Sequence, residues 1–250
     1  MTSLWVVVPA FDEQDYVAGT IRALAAQHDR AFGTLLVDNG CTDATVDVAR
    51  READRAGLHL VVAREPCKGT GAAADTGFRR AIALGASHLA RTDADCLPRP
   101  DWTAAVRRGF GAGLELIAGR LVVRDDEPGV TAAHRWLLPA AVAVAAGFGT
   151  LRPGNRGEEY LGRYVMTPGC NMAVTAGLYQ RAGGFPRVAI EDLHEDRALV
   201  NAVRRLSTAY GYRRDVVVAA SARRVRAWGL VRTLGWYADH RYRPDVVDIR

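Results

Sequence analysis

Three observations predict an α/β protein built on a mostly parallel central sheet. Short apolar runs alternate with helix-period segments through the first 95 residues. A polar cluster follows each apolar run, at the edge where such sheets bind ligands. The 250-residue chain is 49% hydrophobic and 24% charged, enough apolar material to bury a sizeable core.

The elements follow in order. Residues 4–8 are apolar and β-branched, and Pro9 ends the run. Within residues 16–27, Val17, Ile21, Leu24 and Ala25 recur at helical spacing. Residues 34–37 read as a second buried strand ending at Asp38, after which Thr42 or Asp43 caps a helix carrying Val46 and Ala49. Residues 58–63 read as strand three. Lys68-Gly69-Thr70-Gly71 opens an Ala-rich helix through Ala83, and residues 88–91 read as strand four. A helix over 101–110 and a strand over 116–123 come next, then a turn at 125–129. Residues 147–162, rich in Gly and Arg, read as a loop that need not be ordered without ligand. Met172-Ala173-Val174 is apolar, Gly183-Gly184-Phe185 marks a tight backbone approach, and a helix opens at Glu195. A late strand over 216–220 precedes a basic, aromatic tail over 232–243. No repeat or linker divides the chain. One domain over 1–250 is expected, with a nucleotide-binding half (1–97) and an acceptor-binding half (98–250).

The formal charge of +5 favours anionic partners. The basic residues cluster late, at Arg204-Arg205, Arg213-Arg214 and Arg223-Arg224, with no zinc-finger spacing or single-strand motif, so no nucleic acid partner is expected. Cys41, Cys67, Cys96 and Cys170 lack any Cys-x-x-Cys pairing and read as free thiols in a reducing compartment. Residues 4–8 are too short for a signal peptide. The longest apolar run, 136–151, contains Pro139 and falls short of the roughly 20 residues a spanning helix needs. It reads as a core helix or as an interfacial contact, so the expected location is the cytoplasm, with a peripheral contact at the inner face of the membrane left open. Among nucleotide and hydrolase motifs, the P-loop, Gly-x-Gly-x-x-Gly after strand one and Gly-x-Ser-x-Gly are all missing.

The most informative segment is Thr92-Asp93-Ala94-Asp95, an Asp-x-Asp after the fourth strand. Two such carboxylates repel unless they diverge or share a cation. Mg²⁺ or Mn²⁺ takes carboxylate oxygens and keeps positions for phosphate. Phe11-Asp12-Glu13, Asp38-Asn39-Gly40 and Lys68 fall at the other strand ends. A helix cap or solvated turn accounts equally well for Asp43 alone, but less well for the set.

These motifs together resemble the family 2 glycosyltransferases, which have the nucleotide-diphospho-sugar transferase (GT-A) fold. Residues 6–13 are similar to the family's opening strand and Pro-Ala-Tyr-Asn-Glu loop, and residues 37–43 to its Asp-Asp-Gly-Ser-Thr-Asp segment. Lys68-Gly69 with Gly71-Ala72 resembles Gly-Lys-Gly-x-Ala, Asp93-Ala94-Asp95 the metal motif, and Gly183-Gly184-Phe185 with Glu195-Asp196 the acceptor-side elements. Phe11 replaces Tyr, Asp12 replaces Asn, Asn39 the second Asp and Cys41 the Ser, and Pro66-Cys67 stands where Asn and Gly are usual. The resemblance implies a mostly parallel sheet flanked by helices, with a small antiparallel acceptor-side portion.

It also implies roles. Asp38 accepts from the nucleobase and Phe11 packs near its ring, while Pro9, Ala10 and Glu13 shape the base and ribose pocket. Lys68 lies near base or phosphate, and Asp93 and Ala94 near ribose or metal. Asp95 is the stronger ligand of a Mg²⁺ or Mn²⁺ cofactor that neutralises the diphosphate. An acceptor hydroxyl needs a general base, for which Asp or Glu has the charge and reach. Glu191-Asp192 and Glu195-Asp196 compete; the second opens a helix as the family's Glu-Asp-x-x-Leu does, so Asp196 is the expected base, Asp192 the reserve and Glu195 a support. Asn171, Trp228, Trp236 and Tyr237 are candidate acceptor contacts, with core packing as the alternative for the aromatics. Direct displacement would invert the anomeric centre; retaining relatives place a late His on the metal, for which His240 is the candidate. The expected partners are a nucleotide-diphosphate sugar and a small-molecule, saccharide or lipid-linked acceptor. A sugar nucleotidyltransferase would want a Gly-rich basic loop, which residues 9–15 lack. A non-catalytic binding protein would have less use for the retained acids.

Overall fold

The structure, a computed structural model, describes residues 3–127, 147, 149–150, 152–187, 194–229 and 232–233. Eight strands form one sheet: β1 (Leu4–Ala10), β2 (Phe32–Asp38), β3 (Leu60–Arg64), β4 (His88–Arg91), β5 (Leu97–Pro98), β6 (Leu116–Val123), β7 (Met172–Thr175) and β8 (Tyr210–Ala220). Their order is β3-β2-β1-β4-β7-β6-β8-β5. The first four strands are mutually parallel. β7 then runs antiparallel between β4 and β6, β8 is parallel to β6, and β5 is antiparallel to β8. The mostly parallel α/β sheet expected from the sequence is therefore present, with its antiparallel portion at one edge.

The helices are α1 (Val17–Ala25), α2 (Thr45–Ala56), α3 (Thr70–Ala83), α4 (Trp102–Gly111), α5 (Ala176–Arg181), α6 (Glu195–Arg204) and α7 (Arg223–Trp228). Strand periodicity sorts the apolar side chains between two cores. Val6, Val8 and Leu36 join Ile21, Leu24, Ala49 and Trp102 on one face. Val7, Leu35 and Val37 join Phe78, Tyr179, Leu199 and Val203 on the other. Each buried Val, Leu or Phe contributes about 1.5–3 kcal/mol. Sheet strands buried on both faces read as the continuous apolar runs seen in the sequence.

Several boundaries differ from expectation. β1 continues through Pro9 to Ala10 because its neighbour β4 stops at Arg91, opposite Val7; the missing proline N–H then lies beside an unpaired edge. β8 begins at Tyr210 rather than Val216, its first half masked by Arg213 and Arg214, and it pairs with β6 across a register break between Gly119 and Arg120. The described part of residues 147–162 is well tied: Asn155, 3% exposed, donates to the Gly149 carbonyl, and its own carbonyl accepts from Arg204. Most of the apolar run 136–151, the end of the 125–129 turn and the tail from residue 234 onward lie outside the described residues. No helix among the described residues is long and apolar enough to cross a membrane. The four cysteines are free, as expected.

Candidate active site

Parallel pairing brings the exits of β1 to β4 to one edge, and the motifs meet there. Two loops clasp each other first. The carboxylate of Asp12 accepts the backbone N–H groups of Thr42 (2.5 Å) and Asp43 (3.3 Å), and Asp43 accepts those of Gln14 (3.1 Å) and Thr45 (2.9 Å). The N-cap of α2 is Ala44, without a side-chain cap, rather than Thr42 or Asp43; Asp43, one residue earlier, accepts the N–H of the helix's first residue instead. Asp12 has φ 47°, a region Asp and Asn tolerate, so the replacement of Asn is conformationally mild.

Asp38 Oδ1 accepts from the N–H of Gly40 (3.1 Å) and Cys41 (2.8 Å), fixing its carboxylate beside an open surface depression that Asp43, Asp47, Arg50 and Arg64 also line. Next to Asp38, Asn39 is 7% exposed and clips the β3 exit: Nδ2 donates to the carbonyls of Glu65 (2.9 Å) and Cys67 (2.8 Å), and Oδ1 accepts from Gly69 N (2.9 Å). A carboxylate accepts only, so it cannot make this clip. The clipped loop carries Lys68, whose Nζ stands 4.7 Å from the centroid of Phe11.

Both acids of the Asp-x-Asp are matched by arginines. Asp93 Oδ1 accepts from Arg91 Nε at 3.0 Å, and Asp95 Oδ2 lies 3.1 Å from Arg223 at the start of α7. Arg223 also grips Glu13 through both terminal nitrogens and lies over the Tyr16 ring. Arg124 holds the Asp95 carbonyl (2.8 Å), while Thr20 donates to the Ala94 carbonyl (2.8 Å). The turn that presents the two carboxylates is therefore held through its backbone.

Arg91 reaches further. Its Nη1 donates to Glu195 Oε1 at 3.1 Å, bringing the start of α6 against the Asp-x-Asp. Gly71 permits this approach: a Cβ there would sit 2.5 Å from the Pro186 carbonyl oxygen and 3.0 Å from Glu195 Cβ. Asp196 accepts from Gly169 N (3.3 Å) and Arg197 N (2.6 Å). Burial, then the Glu195 charge, push its pKa up to about 7, while those backbone bonds and Arg91 oppose the rise. Burial and the charge of Asp196 push the nearby Tyr164 phenol up to about 12. Burial likewise raises the carboxyl of Asp93, against the pull of Arg91.

The hard oxygen donors of Asp93 and Asp95 suit Mg²⁺ or Mn²⁺, and a carboxylate has room for a cation beside one arginine contact. Among the described residues the three-ligand grouping able to hold a metal is a different one, Asp12, Cys41 and Asp43. Burial raises the Cys41 thiol to about 11, so a cation bound there would have to displace its proton. Asp12 and Asp43 are already occupied by the clasp.

Asn171, expected on the acceptor side, is fully buried: its amide accepts from Trp102 Nε1 (2.8 Å) and donates to the carbonyls of Arg120 (2.9 Å) and Val216 (3.0 Å). It ties β6, β8 and α4 together. Trp228 ends α7, half-buried. Asp192, Glu191, Trp236, Tyr237 and His240 lie outside the described residues. Arg91 and the clip made by Asn39 were missed by sequence reasoning. An arginine closing the short strand just before the Asp-x-Asp was the available signal for the first.

The family model described as "Glycosyl transferase family 2" matches residues 5–173. Among curated proteins, glycosyltransferase AglE of Haloferax volcanii is 27% identical over 137 residues, 52% of this chain and 43% of that protein. Among solved structures, residues 1–349 of S. aureus TarS in complex with UDP-GlcNAc superpose with a TM-score of 0.63 at 15% identity, covering 88% of this chain and 58% of that one. The mannosyltransferase PcManGT of Pyrobaculum calidifontis, in complex with GDP-Man and Mn²⁺, gives 0.61 at 21% identity, covering 86% and 56%. The chain spans less than two thirds of the length of each of these relatives. The structural likenesses carry the fold.

Proposed function

Because the chain belongs to glycosyl transferase family 2, we propose that it transfers a sugar from a nucleotide-diphosphate donor to an acceptor hydroxyl, with a divalent cation and with inversion. One observation carries this reading: Arg91 joins the Asp-x-Asp, where a diphosphate would lie, to the helix start bearing a carboxyl with a pKa near 7.

In this reading Asp38 and Phe11 receive the base, and Pro9, Ala10 and Glu13 bound the ribose side. Lys68 and the Asp93–Asp95 turn face the diphosphate, with Ala94 between the acids. A cation held by Asp95 and Asp93 would supply charge neutralisation for the leaving diphosphate. Glu195 is engaged by Arg91 and acts as a support; Asp196 is the base. The acceptor oxygen bonds to the anomeric carbon from the face opposite the diphosphate. Its proton passes to the Asp196 carboxylate, and the bond from that carbon to the diphosphate oxygen breaks, its electron pair leaving with the diphosphate. An α-linked donor then yields a β-linked product. The 1–97 and 98–250 halves serve donor and acceptor respectively. A cytoplasmic enzyme working on a saccharide or lipid-linked acceptor is consistent with the basic charge.

The test is incubation with Mg²⁺ or Mn²⁺ and a panel of sugar nucleotides, following slow donor hydrolysis by mass detection. Cation-dependent release of nucleoside diphosphate from at least one donor is expected. No turnover and no binding of any donor would sink the transferase reading.

A further inference from the structure

Arg187 leaves the Gly183-Gly184-Phe185 loop of the acceptor half and inserts between two acids of the donor half. Its Nη2 lies 2.7 Å from Glu65 Oε2, and its Nη1 lies 3.3 Å from Asp75 Oδ2 and 2.9 Å from Thr76 Oγ1. Both acids are buried, with side chains 5% and 1% exposed, whereas the Arg187 side chain is 43% exposed. Buried carboxylates need a cationic partner, and Glu65 takes it from across the sheet edge.

Each partner of Arg187 leads to a proposed functional residue. Glu65 Oε1 accepts from Cys67 N at 2.7 Å, fixing the backbone immediately before Lys68. Asp75 Oδ1 accepts from the Tyr179 hydroxyl (2.7 Å), which in turn accepts from Phe185 N (3.1 Å), so the acceptor loop is pinned twice to α3. Pro186, next to Arg187, closes on Gly71 beside Glu195.

We propose that Arg187 is a positioning residue of the transfer reaction, fastening the Lys68 loop to the acceptor-side chain beside Glu195 and Asp196 so that donor contact and base are held as one unit. This rests on the reading of Lys68 as a donor contact and Asp196 as the base.

The test compares R187A, K68A and R187A/K68A by steady-state kinetics, and R187A with the parent by amide hydrogen exchange. Exchange at residues 65–69 should speed up in R187A, because Glu65, the acceptor of the Cys67 amide, loses the cation that holds it. R187A and K68A should each raise donor KM about tenfold, and the double variant should stay near tenfold rather than reaching about a hundredfold, because both act through one loop. Unchanged exchange at 65–69, or additive KM effects, overturns the proposal whatever the parent's activity. Faster exchange in a protein whose parent transfers from no donor overturns the functional reading, and the reaction role of Arg187 with it. If R187A does not fold, E65Q, which keeps an acceptor for Cys67 N while removing the ion pair, carries the same comparison.

Discussion

Arg91 donates to Glu195 Oε1 at 3.1 Å across 104 positions of sequence, while its Nε holds Asp93 at 3.0 Å. The arginine is 1% exposed. One buried cation thus serves a near neighbour and an acid 104 positions away, and a third acid, Asp196, stands beside them. This distribution separates the two members of the Glu-Asp pair. Glu195 has a guanidinium against it; Asp196 has the raised pKa.

Replacing Arg91 with Met removes the shared cation and leaves the buried Glu195, and the partly exposed Asp93, without it. Breaking a buried pair on one side costs about 3–5 kcal/mol. Urea unfolding of R91M should show a loss of that order, and an unchanged midpoint and slope would argue against a buried network.

The proton exchange assigned to Asp196 predicts a kcat/KM that rises with pH around an apparent pKa near 7 in the free enzyme. D196N should lower turnover by about 10²–10⁴-fold and lose that limb, with donor binding largely spared. Stability follows the same sign. The folded-state pKa of about 7 lies above the ordinary 3.8, so this group's contribution is fully present below 3.8 and is lost as pH rises through 7. D196N should therefore gain stability relative to the parent on going from pH 5 to pH 8, measured by chemical unfolding at each pH.

Asn39→Asp would restore the family's second acid yet delete the donors to the Glu65 and Cys67 carbonyls. Unmade buried hydrogen bonds cost about 1–3 kcal/mol. A lower melting temperature with a higher donor KM is expected. A variant equal to the parent in both would show that the clip does not hold the Lys68 loop.

Chelation should abolish donor turnover, and Mg²⁺ or Mn²⁺ should restore it. Asp95→Ala should weaken Mn²⁺ binding measured by titration calorimetry in the presence of nucleoside diphosphate, by about tenfold or more for a lost carboxylate ligand. Full activity in chelator would remove the cation from the mechanism.

The strand-helix alternation, the motif order and the four polar strand ends were legible in the sequence. Side-chain period and turn chemistry are short-range properties, which a run such as Leu4 to Ala10 or Lys68 to Ala83 displays along its own length. Asp38, Asp93, Asp95 and Asp196 were singled out as candidates this way. Asn171 was misread as an acceptor contact for the same reason: its local setting resembles a loop end, while its three partners come from α4, β6 and β8.

The pairing of charges lay beyond linear reading. Arg91 meets Glu195, Arg223 meets Asp95 and Glu13, and Arg187 meets Glu65 and Asp75, because β7 inserts between β4 and β6 and folds the late chain back over the early strand ends. Which arginine neutralises which acid depends on the neighbour supplied by sheet order. Desolvation, which raises Asp196 toward neutrality, comes into being only when the other elements close around it. The residue types for sugar-nucleotide chemistry are a matter of local sequence. Their protonation and mutual orientation are matters of which distant segments they are packed against.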